Sequence, residues 1–210
     1  MILPRLYPIL DTGMLIQRNC DVVAAAEAML AGGARVLQFR HKGHYSRQVF
    51  GEAEKLAELC RRAGALFVVD DRADIAILLD AGVHVGQDDL PPQDARRLVG
   101  PGRLLGFSTH NETQLRAAAA EPADYIAVGP IFGTSSKEKP DPVVGVEELR
   151  RLRALETRPL VAIGGITREN ALAVLEAGAD SVAVIGDLLP AECNFKSMRE
   201  RMEQWQMLVK

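Results

Sequence analysis

The chain has only three cysteines, Cys20, Cys60 and Cys193, far apart and in no Cys-x-x-Cys or Cys/His cluster. Their odd number and spacing argue against a disulfide framework and against structural zinc, so reduced, structural thiols are expected. An excess of positive charge is also lacking. The 25 Lys and Arg against 28 Asp and Glu leave a net charge of −3, which supplies no long-range attraction for nucleic acid or anionic lipid. Any anionic ligand must then be held by locally placed cations. No segment approaches the roughly 18 consecutive apolar residues that span a bilayer, and Pro4 and Asp11 arrive before any signal-peptide pattern develops. No Ser/Gly-rich linker or low-complexity tract divides the 210 residues. The expectation is one cytoplasmic domain with no nucleic-acid or membrane partner.

What is present is apolar material, 48% of the residues, enough for one substantial core. It falls in short runs: Leu6 to Leu10, Val36 to Phe39, Ala65 to Val69, Val83 to Val85, Leu104 to Phe107, Tyr125 to Val128, Leu160 to Ile163 and Val182 to Ile185. These eight candidate strands alternate with helical patterns over Asp21 to Ala31, Ser46 to Arg62, Pro92 to Val99, Glu112 to Ala120, Val146 to Leu155 and Arg168 to Ala177. Asn111 and Thr167 stand where a helix would be capped, and Asn194 to Lys210 reads as a final helix. The phrases ending in Ala-Gly at residues 31–33, 81–82 and 177–178 supply a glycine where a helix can stop. Eight βα units in about 200 residues fit a closed (β/α)8 TIM barrel more economically than an open doubly wound sheet, which is the alternative.

Function in such a barrel sits on the loops that follow the strands. After the second run, Gln38-Phe39-Arg40-His41-Lys42 places Gln38, Arg40 and Lys42 on one side by strand alternation. The two cations suit a phosphate group, although ordinary surface charge would give the same pattern. The third and fourth runs lead into Asp70-Asp71 and Gln87-Asp88-Asp89. Carboxylates from neighbouring strand ends suit Mg²⁺, which takes one or two of them and completes its shell with water and substrate phosphate. Helix capping is the plainer role, above all for Asp88. His84, inside an apolar run, reads as a satisfied barrel residue. Ser108 and His110 follow the fifth run, and Gly133-Thr134-Ser135-Ser136-Lys137 the sixth; their hydroxyls, amides and lysine suit an anion. Gly164-Gly165-Ile166-Thr167 then enters a helix after the seventh run, where barrels often bind phosphate.

Taken in order, these segments resemble the thiamine-phosphate synthase family over nearly the whole chain. The most specific matches are Gln-x-Arg-x-Lys at 38–42, His84-Val85-Gly86-Gln87-Asp88-Asp89, Gly129-Pro130-Ile131-Phe132 with Thr134-x-Ser136-Lys137, and Ala162-Ile163-Gly164-Gly165-Ile166. The resemblance implies an enzyme that joins a hydroxymethylpyrimidine diphosphate to a thiazole phosphate and releases pyrophosphate, with Mg²⁺ as cofactor. It implies that Gln38, Arg40, Lys42 and Lys137 grip the diphosphate, with Phe39 and His41 of the same segment also binding substrate. Asp71 and Asp89 would bind the metal, and Ser108 would contact the pyrimidine. Thr134, Ser135, Ser136, Gly165 and the backbone at Ile185 and Gly186 would hold the thiazole phosphate. Arg40, Lys42, Ser108 and Lys137 carry the expected catalytic roles, and a homo-oligomer is compatible with all of this.

Asp70 stands where the family usually has asparagine, beside the expected diphosphate, and a carboxylate cannot donate the hydrogen bond of an amide. Gly186 replaces a frequent serine, and Asp11-Thr12-Gly13 is an unusual end to the first strand. Two other functions stay open at this point. A thiazole tautomerase of the same superfamily would use His110 for proton transfer but has no evident use for a diphosphate cage. A non-catalytic binder of thiamine phosphates would bind without releasing pyrophosphate.

Overall fold

The computed structural model describes residues 3–134 and 141–210. Eight strands form a closed, all-parallel barrel in sequence order: β1 Leu6–Asp11, β2 Val36–Arg40, β3 Leu66–Asp70, β4 Gly82–Val85, β5 Leu105–Thr109, β6 Tyr125–Val128, β7 Leu160–Ile163 and β8 Ser181–Val184. The barrel closes through the register Leu6 to Val182 and Tyr7 to Ala183. The helices are α1 Thr12–Gln17, α2 Val22–Ala31, α3 Arg47–Ala63, α4 Ala73–Leu78, α5 Pro92–Val99, α6 Glu112–Ala118, α7 Val146–Arg153, α8 Ala171–Glu176 and α9 Phe195–Leu208, with a short 3-10 turn at Gly186–Leu188. The open sheet is thereby set aside.

Strand alternation sorts the apolar side chains into two cores. One, including Tyr7, Ile9, Val36, Val68, Tyr125, Ala127, Val161 and Ala183, fills the barrel interior. The other, including Leu6, Leu10, Leu37, Phe39, Val69, Val83, Ile126, Leu160 and Val184, packs the outer strand faces against the helices. Inward positions nearer the C-terminal strand ends are polar (Gln38, Arg40, Asp70, His84, Ser108) and line a cavity instead.

Five of the helices start on capping side chains that accept a backbone N–H: Asp11 from Met14, Asp21 from Ala24, Ser46 from Val49, Asn111 from Gln114 and Asn194 from Ser197. The start expected at Thr167 moves to Asn170, because the Asn170 amide folds back, accepting from Thr167 N–H and donating to the Gly165 carbonyl. Residues 164–170 are thus a turn, and α8 begins at Ala171. The Ala-Gly phrases behave unequally: Gly33 and Gly178 take positive φ, whereas before Gly82 it is Asp80 that does so.

The thiol expectation needs correction. Cys20, between α1 and α2, and Cys193, before α9, are joined in a disulfide across 173 residues, their Cα atoms 5.5 Å apart. Wide spacing along the chain did not matter, because both follow elements at the same end of the barrel, β1 and β8, which are hydrogen-bonded neighbours. Cys60 is the free, buried thiol.

Candidate functional site

The C-terminal strand ends surround a cavity of about 790 Å³, within the range of small-molecule sites. One wall is charged. Arg40, at the end of β2, pairs with Asp11 at the adjacent end of β1 and lies 3.5 Å from Asp70. Lys42 reaches the next strand end, pairing with Asp71 and placing its Nζ 2.9 Å from Asp70 Oδ2. Asp70 Oδ2 thus lies buried between the two cations.

The electrostatics follow from burial and these neighbours. Burial pushes the Asp70 carboxyl above its ordinary value, opposed by Lys42 and Arg40. Burial works against the Lys42 charge, yet Asp70 and Asp71 outweigh it and raise the lysine. Asp89 is raised first by burial and then by the neighbouring Asp71, while its Oδ2 accepts from Gly86 N–H at 2.7 Å. Asp71 itself has φ 64, a conformation rare outside glycine, at a point where its side chain turns into the cavity.

The plainer capping role fails for these aspartates. The residue that opens α4 is Arg72 and the one that opens α5 is Pro91, and neither helix has a side-chain cap. Asp71 and Asp89 are instead adjacent like charges, a donor pair that fits Mg²⁺ completing its shell from water and phosphate oxygens. Among the described residues no group of three or more His, Cys, Asp or Glu is arranged to enclose a metal. Two carboxylates are what a shared protein–substrate Mg²⁺ site needs.

The opposite wall is made by β7, β8 and the loop after β6. Gly164 and Gly165 have φ 101 and 62, and a Cβ on Gly165 would lie 2.5 Å from the Gly133 carbonyl oxygen. The turn is therefore seated directly on the 129–133 loop, tied to it by Ile131 N–H to the Ile163 carbonyl and Phe132 N–H to that of Gly164. Thr134, Ile185 and Gly186 complete this side.

Residues 6–188 match the family model described as thiamine monophosphate synthase. The chain belongs to the thiamine monophosphate synthase family. It is 49% identical over 190 residues to the thiamine-phosphate synthase of Koribacter versatilis, covering 89% of this chain and 90% of that one. It is 45% identical over 189 residues to that of Chloroflexus aurantiacus, covering 90% and 86%. The solved structure of a thiamine phosphate pyrophosphorylase from Pyrococcus furiosus superposes with a TM-score of 0.84 at 34% identity, covering 98% of this chain and 95% of that one.

Of the residues expected to serve a family member, Gln38, Arg40, Lys42, Asp70, Asp71, Asp89, Ser108, Thr134, Gly165, Ile185 and Gly186 all line the one cavity. Phe39 and His41 do not. Phe39 is fully buried on the outer face of β2, stacked with His41, whose Nδ1 is 2.8 Å from Thr12 Oγ1. Only their backbone can serve the site. Ser135, Ser136 and Lys137 lie outside the described residues. His110 reaches the cavity, with Nδ1–H donating to the Gly129 carbonyl at 2.6 Å and Nε2 3.5 Å from Asp141.

Sequence reasoning missed Asp11, Tyr7 and Tyr125. In the sequence Asp11 is only an odd strand end, yet it is buried with both oxygens engaged: Oδ1 accepts from Met14 N–H, opening α1, and Oδ2 holds Arg40. Tyr7 and Tyr125 fall on the inward positions of β1 and β6, which alternation alone would have shown. His84 is, as expected, a satisfied barrel residue, held between Tyr125 and Ser108.

Proposed function

We propose that this protein joins a hydroxymethylpyrimidine diphosphate to a thiazole phosphate, forming thiamine phosphate and pyrophosphate. The observation that carries the reading is the division of one cavity into two poles on opposite sides of the barrel. A cation and carboxylate pole lies at the ends of β2 to β4, and a backbone turn pole at the ends of β7 and β8. Two phosphorylated reactants of different size and charge need two such poles. An isomerase acting on the thiazole phosphate alone would leave the first without a purpose.

In the reaction the methylene carbon–oxygen bond of the pyrimidine breaks and its electron pair leaves on the diphosphate. The electron-rich aminopyrimidine stabilises the methylene cation, and the thiazole nitrogen lone pair forms the new carbon–nitrogen bond. No protein nucleophile is consumed. Arg40 and Lys42 stabilise the charge growing on the leaving group, released from their carboxylate partners as the diphosphate arrives. Asp71 and Asp89 would hold Mg²⁺, which when bound supplies Lewis-acid neutralisation of the diphosphate. Ser108 contacts the pyrimidine, and Gln38 closes the floor below it. Gly165, Thr134 and the backbone at Ile185 and Gly186 hold the thiazole phosphate within reach of the cation, which makes the bond-forming step effectively unimolecular.

Pyrophosphate release measured with each substrate alone, with both, and with and without Mg²⁺ tests the proposal. Release should require both substrates and the metal, and Lys42→Ala should slow it about 100-fold or more. Binding of both compounds with no pyrophosphate release would refute it.

A further inference from the structure

Beneath the cavity, five polar side chains from five strands form an unbroken line of hydrogen bonds through the barrel interior. Gln38 Nε2 donates to the Tyr7 hydroxyl at 3.2 Å. The Tyr7 and Tyr125 hydroxyl oxygens are 2.8 Å apart. The Tyr125 oxygen is 2.9 Å from His84 Nδ1, and His84 Nε2 is 2.8 Å from Ser108 Oγ. All but Ser108 are buried.

The direction of every proton in this line follows from its first member. An amide nitrogen can only donate, so the Tyr7 oxygen accepts there and its single proton goes to Tyr125. Tyr125 then has one proton left, and its remaining partner in the line is His84 Nδ1. That nitrogen accepts, so the neutral ring carries its proton on Nε2 and donates it to Ser108. Burial raises both phenols well above their ordinary range, which keeps each protonated. Ser108 receives one hydrogen bond, and its own proton is the one the line leaves over, at a residue that lines the cavity.

The line has a sequence requirement of its own. Gly106 sits on β5 two residues before Ser108, and a Cβ there would lie 2.1 Å from Tyr125 Cζ and 2.3 Å from His84 Nδ1. The Tyr125–His84 bond passes directly over a position that only glycine leaves open.

We infer that Tyr125 and His84 are positioning residues. They lock the Nε2–H tautomer of His84, so that Ser108 presents its hydroxyl to the ligand as a donor and selects a substrate with an acceptor atom at that point. The identity of that atom as a ring nitrogen of the pyrimidine rests on the proposed function; the proton order does not.

Nitrogen-15 NMR of the ligand-free protein tests the proton order. His84 should show a protonated Nε2 and a bare Nδ1, and protonation at Nδ1 would overturn the inference whether or not the protein turns over any substrate. Steady-state kinetics test the consequence. Tyr125→Phe should raise the KM for the pyrimidine diphosphate about tenfold, the weight of one hydrogen bond, while the KM for the thiazole phosphate stays within about twofold. In a Ser108→Ala background the same substitution should shift the pyrimidine diphosphate KM by less than about twofold, because the two residues act through one bond. A full tenfold effect in that background would show that Tyr125 acts by some other route and would overturn the positioning role.

Discussion

Asp11 offers the sharpest test of how the charged wall is built, because its two oxygens do separate work. Oδ1 accepts from Met14 N–H at 2.9 Å and opens α1, while Oδ2 pairs with Arg40. The pair is largely dry, with side-chain exposures of 16% for Arg40 and 8% for Asp11, so it counts for more than a surface ion pair. Asp11→Asn keeps the size and the capping oxygen but turns an amide donor toward the guanidinium. Arg40 keeps Asp70 at 3.5 Å as a second partner, so the loss of stability should fall below the roughly 3–5 kcal/mol of a fully orphaned buried charge, at about 1–3 kcal/mol. Asp11→Ala also removes the cap and should cost about 1 kcal/mol more. In catalysis, a misdirected Arg40 forfeits a charge-assisted hydrogen bond to the diphosphate, worth about 1.5–3 kcal/mol, or about 10- to 150-fold in kcat/KM for the pyrimidine diphosphate. The KM for the thiazole phosphate should not move. Urea unfolding and pyrophosphate release with each substrate varied in turn would measure both effects. If Asp11→Asn matches the wild type in kcat/KM, or if it further impairs an Arg40→Ala enzyme, Asp11 does not act through Arg40.

Other expectations follow from the same structure. Asp71→Ala and Asp89→Ala should each raise the Mg²⁺ concentration needed for half-maximal activity, and the double variant should lose less than the product of the two if they serve one ion; a fully active double variant would remove the metal assignment. Burial pushes the Cys60 thiol from 9.0 up to about 12, so the folded state keeps a proton that the unfolded chain releases. Stability should therefore fall as pH rises from 9 toward 12, by about 1.4 kcal/mol at pH 10, and Cys60→Ala should flatten that decline in urea titrations at pH 8 and 10; parallel declines would refute it. The Cys20–Cys193 bond closes 173 residues, for which chain entropy sets a ceiling of about 5 kcal/mol. Reduction should lower Tm by up to about 10–20 °C, and the denatured oxidised protein should titrate as one free thiol; three thiols, or an unmoved Tm, would contradict the bond.

Much of the barrel was legible because its signals are local. The eight apolar runs each became a strand, shifted by a residue or two at most ends, since a strand buried on both faces needs only a short apolar stretch bounded by turn residues. The amphipathic helices α3 and α5 were readable for the same kind of reason. The six-residue helices α1 and α4 were not, being too short to show a period. The later start of α8 depended on how the Asn170 side chain folds back. For the site, alternation already placed Gln38, Arg40 and Lys42 together, and the aspartates that follow β3 and β4 were readable as neighbours.

What only the tertiary structure decided is which distant groups become partners. Nothing near Asp11 in the chain announces Arg40, nothing near Cys20 announces Cys193, and nothing near Tyr7 or Tyr125 announces that they join Gln38, His84 and Ser108 in one line. The sequence by itself determined the periods and the order of the polar residues, because each of these is written within a few residues of chain. Ion pairs, the disulfide and the buried line of hydrogen bonds had to wait for barrel closure. The register between strands sets which side chains share a layer, and burial then makes every polar group in that layer find a partner.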